Sequence, residues 1–292
     1  MEKHSEVRIG LFAMLACYLL WGFQPLYWAI DDSFDFMFLM AARTLSAAVF
    51  CTAIVAAQGH LGQIREVFRS PKILMREIPA AVFLFGDWFV YIWAVQNGQV
   101  LECSVGYYIM PLVVFAFGAL IFREKCRPFH FVALAFMIAA IVIPAVALGT
   151  LPWVSVSLSL MFSIYAAIKK SLTLDSIVST TCEILIMAPF MLVYMLLFRR
   201  GEGGMASVDA LHFLYLVGAG IVTASPMLFY SISVKRLRLL TVSIGQYLSP
   251  TLAIVCSLIL HEEITPMKLL TFGLIWIGIV IFAAGTIKYK EL

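Results

Sequence analysis

The sequence predicts an all-α membrane protein of ten transmembrane helices, built as two inverted five-helix repeats with both termini cytoplasmic. Three observations carry that prediction: a composition too apolar for water, loop charges that alternate along the chain, and a match of the chain to itself at a fixed offset. The 292 residues are 63% hydrophobic and 13% charged, and the mean hydropathy is +0.99. Soluble domains carry about 25% charged residues, so this chain could not cover its apolar surface in water. About ten spans of roughly 20 residues take up about two thirds of the length and leave no room for a separate soluble domain.

A window of about 19 residues places the spans at 9–30, 34–57, 78–97, 100–122, 129–147, 151–170, 178–198, 210–233, 239–260 and 267–287. The first stretch follows Lys3 and Arg8 as a signal peptide would. It ends in Trp28-Ala29-Ile30 without a small-x-small cleavage site and is read as the first span. Trp28, Trp93, Trp153 and Tyr289 stand near span ends, where interfacial aromatic belts form.

With the N-terminus inside, sixteen of the twenty basic residues fall in cytoplasmic segments, among them Arg65, Arg69, Lys72 and Arg76, Lys169 and Lys170, and Lys235, Arg236 and Arg238. The outside loops hold Arg199, Arg200 and Lys268, the first outside loop carries Asp31, Asp32 and Asp35, and Arg43 lies within a span. This is the positive-inside distribution. The net charge of +3 therefore reports topology, and no nucleic-acid partner is expected. Five of the six cysteines lie in apolar segments and Cys126 in a basic loop, with no CxxC; they are read as small packing residues, with no disulfide, metal or cofactor.

A shift of 139 residues lays Ser104-Val105-Gly106-Tyr107-Tyr108 on Ser243-Ile244-Gly245-Gln246-Tyr247, Pro111 on Pro250 and Glu124 on Glu263. A shift of 140 lays Arg43 over Glu183. Five spans per copy is an odd number, so the copies must enter the membrane from opposite sides. The loops agree: Gln96-Asn97-Gly98-Gln99 is uncharged where its counterpart carries Lys235, Arg236 and Arg238, and Arg123-Glu124-Lys125 is basic where its counterpart His261-Glu262-Glu263 is acidic. The domains are thus residues 1–148 and 149–292. Inverted repeats recur in secondary transporters, in which the halves exchange conformations around a central site; a duplicated scaffold without transport is the alternative.

Tyr18-Leu19-Leu20-Trp21-Gly22, Arg43, Gly86-Asp87-Trp88 through Ile92-Trp93-Ala94-Val95, Leu101-Glu102 with Ser104 and Gly106-Tyr107, Pro111-Leu112, Glu183, and Gln246-Tyr247 with Ser249-Pro250-Thr251 resemble the RarD-type branch of the drug/metabolite transporter superfamily, built of EamA domains. The resemblance covers essentially the whole chain. It implies a bacterial inner-membrane, multi-pass carrier with a central cavity between the halves. The family's substrates include amino acids and small metabolites, more often exported, and RarD is associated by name with chloramphenicol sensitivity. Asp87 departs from the family pattern, where an Asn is expected, so an ionisable role opens there.

Arg43 at mid-span costs about 2.5–3.5 kcal/mol on insertion scales and should face the interior with a partner. Glu183, at equivalent depth in the other repeat, is the natural one. Arg43 then attracts a substrate carboxylate while Glu183 meets an ammonium or a proton, or the two form a permanent ion pair locking the second span to the seventh. Asp87 and Tyr91 are four apart on one helical face; Asp87 either binds a proton in low dielectric or stays ionised beside a watery vestibule. Glu102 starts the fourth span close to the membrane edge, in a solvated or capping role or in contact with substrate. Tyr108 and Pro111 share a stripe with Ser104, and Tyr247 and Pro250 one with Ser243. The prolines read as hinges or as packing kinks, and Gly106 and Gly245 let neighbouring helices approach. Trp21, Gln24, Tyr27, Trp28, Trp88, Trp93, Tyr107 and Tyr165 supply surface for an amphiphilic or cationic ligand.

The candidate substrate-binding set is Trp21, Gln24, Arg43, Asp87, Trp88, Tyr91, Tyr108, Tyr165, Glu183, Gln246 and Tyr247, with Pro111 and Pro250 as hinges. No ATP-binding, metalloprotease or serine-hydrolase motif is present, so the chain is not expected to be an enzyme. The expected function is secondary active transport of small polar or zwitterionic metabolites by alternating access, with proton or ion coupling or exchange; a channel or an intramembrane enzyme on the same bundle is the alternative. The expected partners are a small-molecule substrate and membrane lipid. Ala135 and Ala139 form a small-x-x-x-small pair too weak to establish a dimer, which leaves a monomer or weak homodimer.

Overall fold

The computed structural model describes residues 2–28, 30, 34–96, 100–148, 153–198, 204–259 and 266–289. Among them the chain forms twelve α-helices and one short 3-10 turn, with no strand. The helices are α1 (Glu2–Trp28), α2 (Phe36–Ala57), α3 (Leu61–Arg69), α4 (Pro71–Gln96), α5 (Val100–Leu120), α6 (Pro128–Leu148), α7 (Trp153–Ser171), α8 (Ser176–Phe198), α9 (Ala210–Arg236), α10 (Leu239–Gly245), α11 (Leu248–Ile259) and α12 (Pro266–Tyr289). Every apolar stretch expected from the sequence lies on helix, with two departures. The basic segment after α2 contains the amphipathic helix α3, whose Ile64 and Val67 are buried while Arg65, Glu66 and Arg69 face out. The stretch 239–260 is divided into α10 and α11.

Four segments among the described residues are long and apolar enough to cross a membrane: Ser5–Trp28, Met37–Ala57, Ser176–Leu197 and Ala210–Arg236. Gly106–Leu120, Pro128–Ala140 and Gly273–Gly285 are shorter apolar runs. Phe12, Val49, Leu120, Val146 and Leu211 are widely exposed on the outer faces, a surface suited to lipid and not to water. The protein is a multi-pass membrane protein.

The helix ends follow local chemistry. Asp35 accepts the amides of Met37 and Phe38 at the start of α2, Asp175 those of Ile177 and Val178 before α8, and Asp209 that of His212 in α9. Each satisfies donors that a helix N-terminus leaves free. The His212 amide also holds the Asp209 carboxyl below the usual carboxylate range. Pro71, Pro128 and Pro266 open α4, α6 and α12, where a missing N–H costs nothing. Gly59, with φ of 74°, turns the chain from α2 into α3.

Shifted by 139 residues, α4 falls on α9, α5 on α10 and α11 together, and α6 on α12, within two residues at every bound. The packing between the halves is reciprocal. The contact of α1 with α9 is answered by that of α7 with α4, and α1 with α11 by α7 with α5; α2 packs on α8, α5 on α10 and α6 on α12, each helix on its own counterpart. Gly106 of α5 sits where an added Cβ would lie 3.0 Å from the Ser155 Cα of α7, so its bare backbone permits that close approach. Gly245 instead meets the flexible Met14 side chain of α1.

The two counterparts differ at one place. α5 runs through Pro111 unbroken, whereas its counterpart breaks at Gln246 and Tyr247. Pro250 has no N–H to give the Gln246 carbonyl, which is taken by the Ser249 amide at 3.3 Å, while Tyr247 reaches back to the Ile244 carbonyl at 3.2 Å. The ladder tightens to i→i+3 bonds and the axis is interrupted.

Candidate functional site

Five helices from both halves converge on one aromatic cluster. From α1, Trp21 lies with its ring centroid 6.0 Å from that of Tyr18, 5.9 Å from Phe162 of α7 and 5.5 Å from Tyr230 of α9. Tyr165 stacks on Tyr230 at 6.1 Å, and Trp88, Tyr91 and Tyr107 of α4 and α5 pack against the same core. Residues 88 and 91 face it together because they are one helical turn apart.

Arg43 of α2 enters this wall. Its guanidinium lies 4.8 Å from the centroid of the Trp88 ring and 5.7 Å from that of Trp28, in cation–π contact with both. Its Nε is shielded from solvent and has no hydrogen-bond partner. Tyr91 and Tyr107 stand within its electrostatic range, their rings 5.7 Å apart. Asp87 is 3% exposed and its Oδ1 is also unpartnered, with Tyr107 nearby. A vestibule-solvated Asp87 is therefore not what the structure shows. Gln24 of α1 donates to the Val222 carbonyl of α9 at 3.5 Å.

The expected Arg43–Glu183 partnership is not formed. Glu183 is wholly buried and its Oε1 lies 2.6 Å from the Lys169 Nζ, with both side chains at 0% exposure. Lys169 also donates to Ser179 Oγ at 2.9 Å, and Tyr165 donates to Glu183 Oε2 at 3.2 Å. Ser179 donates in turn to Glu77 Oε2 at 3.0 Å. The repeat placed Arg43 and Glu183 at equal depth, and α2 does pack on α8, but Glu183 turns toward α7. Lys169, read from the sequence as a loop charge, is a core residue, and Glu77 was not singled out at all. Helical spacing held the signal: Ser176, Ser179 or Thr180, and Glu183 form one polar stripe, and Ser155, Ser159 and Ser163 lead along α7 toward Lys169.

Tyr108 and Tyr247 lie apart from the Trp21 cluster, among Ala133, Met137, Ile275 and Phe282 of α6 and α12. The Tyr247 hydroxyl donates to the Tyr108 carbonyl at 3.0 Å. Gln246 stands between the two regions, its Nε2 2.9 Å from Met110 Sδ and its Oε1 unpartnered. Pro111 is buried within α5. The side chains of Pro250, Glu102 and Ser104 lie outside the described residues.

At the end opposite in sequence, Glu124 joins the halves. Arg123 adopts a left-handed φ of 51°, and the next carboxylate accepts the amides of Leu239 and Leu240 at 2.8 and 3.0 Å, capping α10. Lys170 approaches Glu124 Oε1 at 3.5 Å and donates to the Leu237 carbonyl at 2.5 Å.

Comparison with known proteins gives a consistent family. The EamA-like transporter family matches twice in tandem, over residues 8–145 and 152–284. The chain is 32% identical to the uncharacterized transporter YojE of Bacillus subtilis, over 99% of this chain and 98% of that one. It is 33% identical to protein RarD of Streptomyces exfoliatus, over 99% and 92%, and 24% identical to the chloramphenicol-sensitive protein RarD of Pseudomonas aeruginosa, over 93% and 92%. A crystal structure superposes with a TM-score of 0.72 over 95% of this chain and 96% of that one at 20% identity, a likeness of fold.

Proposed function

Because the chain belongs to the EamA-like transporter family, in its RarD-type branch within the drug/metabolite transporter superfamily, we propose that it is a secondary active transporter of small zwitterionic metabolites, amino acids or their derivatives, across the bacterial inner membrane. The observation that carries this reading is Arg43, a guanidinium held over Trp28 and Trp88 with its Nε unpartnered. Orphaned buried polar atoms are costly unless something completes them. A substrate carboxylate suits the planar donors of the guanidinium. Asp87 and the faces of Trp21 and Trp88 suit an ammonium and an apolar side chain.

In this reading the chain spans the membrane ten times as two inverted halves, with both termini cytoplasmic, and works by alternating access. The tandem family match, the reciprocal packing of the halves and the reversed sign of corresponding loops support it.

The test is counterflow of labelled amino acids in proteoliposomes, with chloramphenicol included as a competitor. Saturable counterflow that collapses in Arg43→Ala is expected. Flux that ignores the substitution would remove Arg43 from the site, and flux without saturation or counterflow would make the protein a channel.

A further inference from the structure

The cluster around Lys169 meets the aromatic wall at Tyr165, and its charges make no contact with Arg43, Trp28 or Trp88 among the described residues. Lys169, Ser179, Glu183 and Glu77 are all at 0% exposure. They carry two carboxylates against one ammonium. Lys169 pairs with Glu183 at 2.6 Å and donates to Ser179. Ser179 has a single hydroxyl proton, and the nearer acceptor for it is Glu77 at 3.0 Å, against 3.4 Å to Glu183. Glu77 Oε1 is left buried with no hydrogen-bond partner.

The surroundings of Glu77 supply no second counter-charge in contact. From α7 it faces Lys169 and Tyr165, from α8 Ser179, Cys182 and Glu183, and from α9 Lys235. The Lys235 ammonium is engaged by the Leu174 carbonyl and makes no ion pair with Glu77 among the described residues. Asp175, near Lys235, caps α8. Cys182, beside Glu77, packs in one apolar cluster with Ile64 and Val67 of α3. An ionised, unpaired carboxylate in such a place is strongly disfavoured, and a proton removes the excess charge without moving any helix.

We propose that Glu77 is the proton-carrying residue of this transporter, with the Lys169–Glu183 pair as its fixed neighbour, a reading that rests on the protein being a carrier. Glu77 Oε1 takes a proton from water to give the neutral acid and returns it as the carboxylate. No other reactant is needed. Tyr165 joins this site to the substrate wall, its hydroxyl on Glu183 and its ring stacked on Tyr230 beside Trp21. Occupancy of the wall and protonation of Glu77 are thereby linked through one side chain.

Two measurements on the full chain in liposomes test the assignment. Infrared difference spectra across a pH jump should show a protonated carboxyl band, distinct from any band lost in Asp87→Asn, that is lost in Glu77→Gln and kept in Asp209→Asn. Survival of that band in Glu77→Gln overturns the proposal. If Glu77→Gln does not fold, Glu77→Asp should move the band, and an unmoved band overturns it equally. In the second measurement, proteoliposomes loaded with a pH-sensitive dye receive a mixture of the proteinogenic amino acids. Protons moved per labelled amino acid should fall at least about tenfold in Glu77→Gln, as expected when the proton-carrying carboxyl is replaced by an amide that does not titrate; an unchanged ratio overturns the proposal. Absence of any amino-acid flux in the wild type would count against the substrate reading alone, since the infrared band decides Glu77 by itself.

Discussion

The Tyr247 hydroxyl donates to the Tyr108 carbonyl oxygen across 139 positions of sequence, the same offset that aligns the chain on itself. The bond accompanies the packing of α5 on α10. Tyr247→Phe keeps the ring and removes only the donor. It should lower stability by about 0.5–1.5 kcal/mol, read as a lower thermal unfolding midpoint in detergent with the fold intact.

Lys169 and Glu183 make a second measurable pair. Lys169→Met leaves a buried carboxylate without its ammonium and should cost about 3–5 kcal/mol. Adding Glu183→Gln removes that stranded charge while keeping an acceptor for the Tyr165 hydroxyl, and should recover most of the loss. A double-mutant cycle on thermal unfolding checks this; two additive losses would mean the pair is not coupled.

Glu124 holds the α9–α10 junction from the other half of the chain. Glu124→Ala strips two charge-assisted bonds from the Leu239 and Leu240 amides. Their hydrogen exchange should accelerate by about 10–100-fold, the range implied by roughly 1.5–3 kcal/mol per such bond. Amides within α2 should exchange as before.

Gly220 shows how closely α9 and α2 are packed. A Cβ there would strike the Ser46 side chain, the Ala47 amide nitrogen and, at 2.6 Å, the Ser46 carbonyl carbon. Gly220→Ala should destabilise by about 1–3 kcal/mol through overpacking. Gly273 meets nothing within 4 Å, so Gly273→Ala in α12 should be neutral or stabilising by up to about 1 kcal/mol. Unfolding midpoints of the two variants should therefore move in different directions or by clearly different amounts.

Much of this was legible in the sequence. Hydropathy located helix at every expected stretch, because burial in lipid acts on composition averaged over whole segments. The offset of 139 lays α4 on α9, α5 on α10 and α11, and α6 on α12, to within two residues at their ends. What escaped was local. The break at Gln246 and Tyr247 depends on which carbonyl Pro250 leaves open, and Pro111, in the equivalent position, leaves its helix continuous. Arg43, Asp87, Trp21 and Trp88 could be picked out as charged or aromatic residues in apolar runs, yet equal depth does not specify rotation about the helix axis, and so Glu183 was assigned the wrong partner. Lys169 stands at the edge of an apolar window beside Lys170, where hydropathy cannot separate a core cation from a loop cation; only the latter of the two is partly exposed.

The burial of Lys169 also bears on how the protein is made. A lysine in the last turn of α7 that is fully buried still resists entering lipid on an isolated helix, at a cost below the roughly 2.5–3.5 kcal/mol of a mid-membrane lysine. Its carboxylate partner is fourteen residues further along the chain, on the next helix. α7 is therefore poorly suited to leave the translocation machinery alone. It should wait for α8 and move into the bilayer as a helical hairpin whose charges are already neutralised, which makes the turn 172–175 the point at which the biogenesis of the second half is committed.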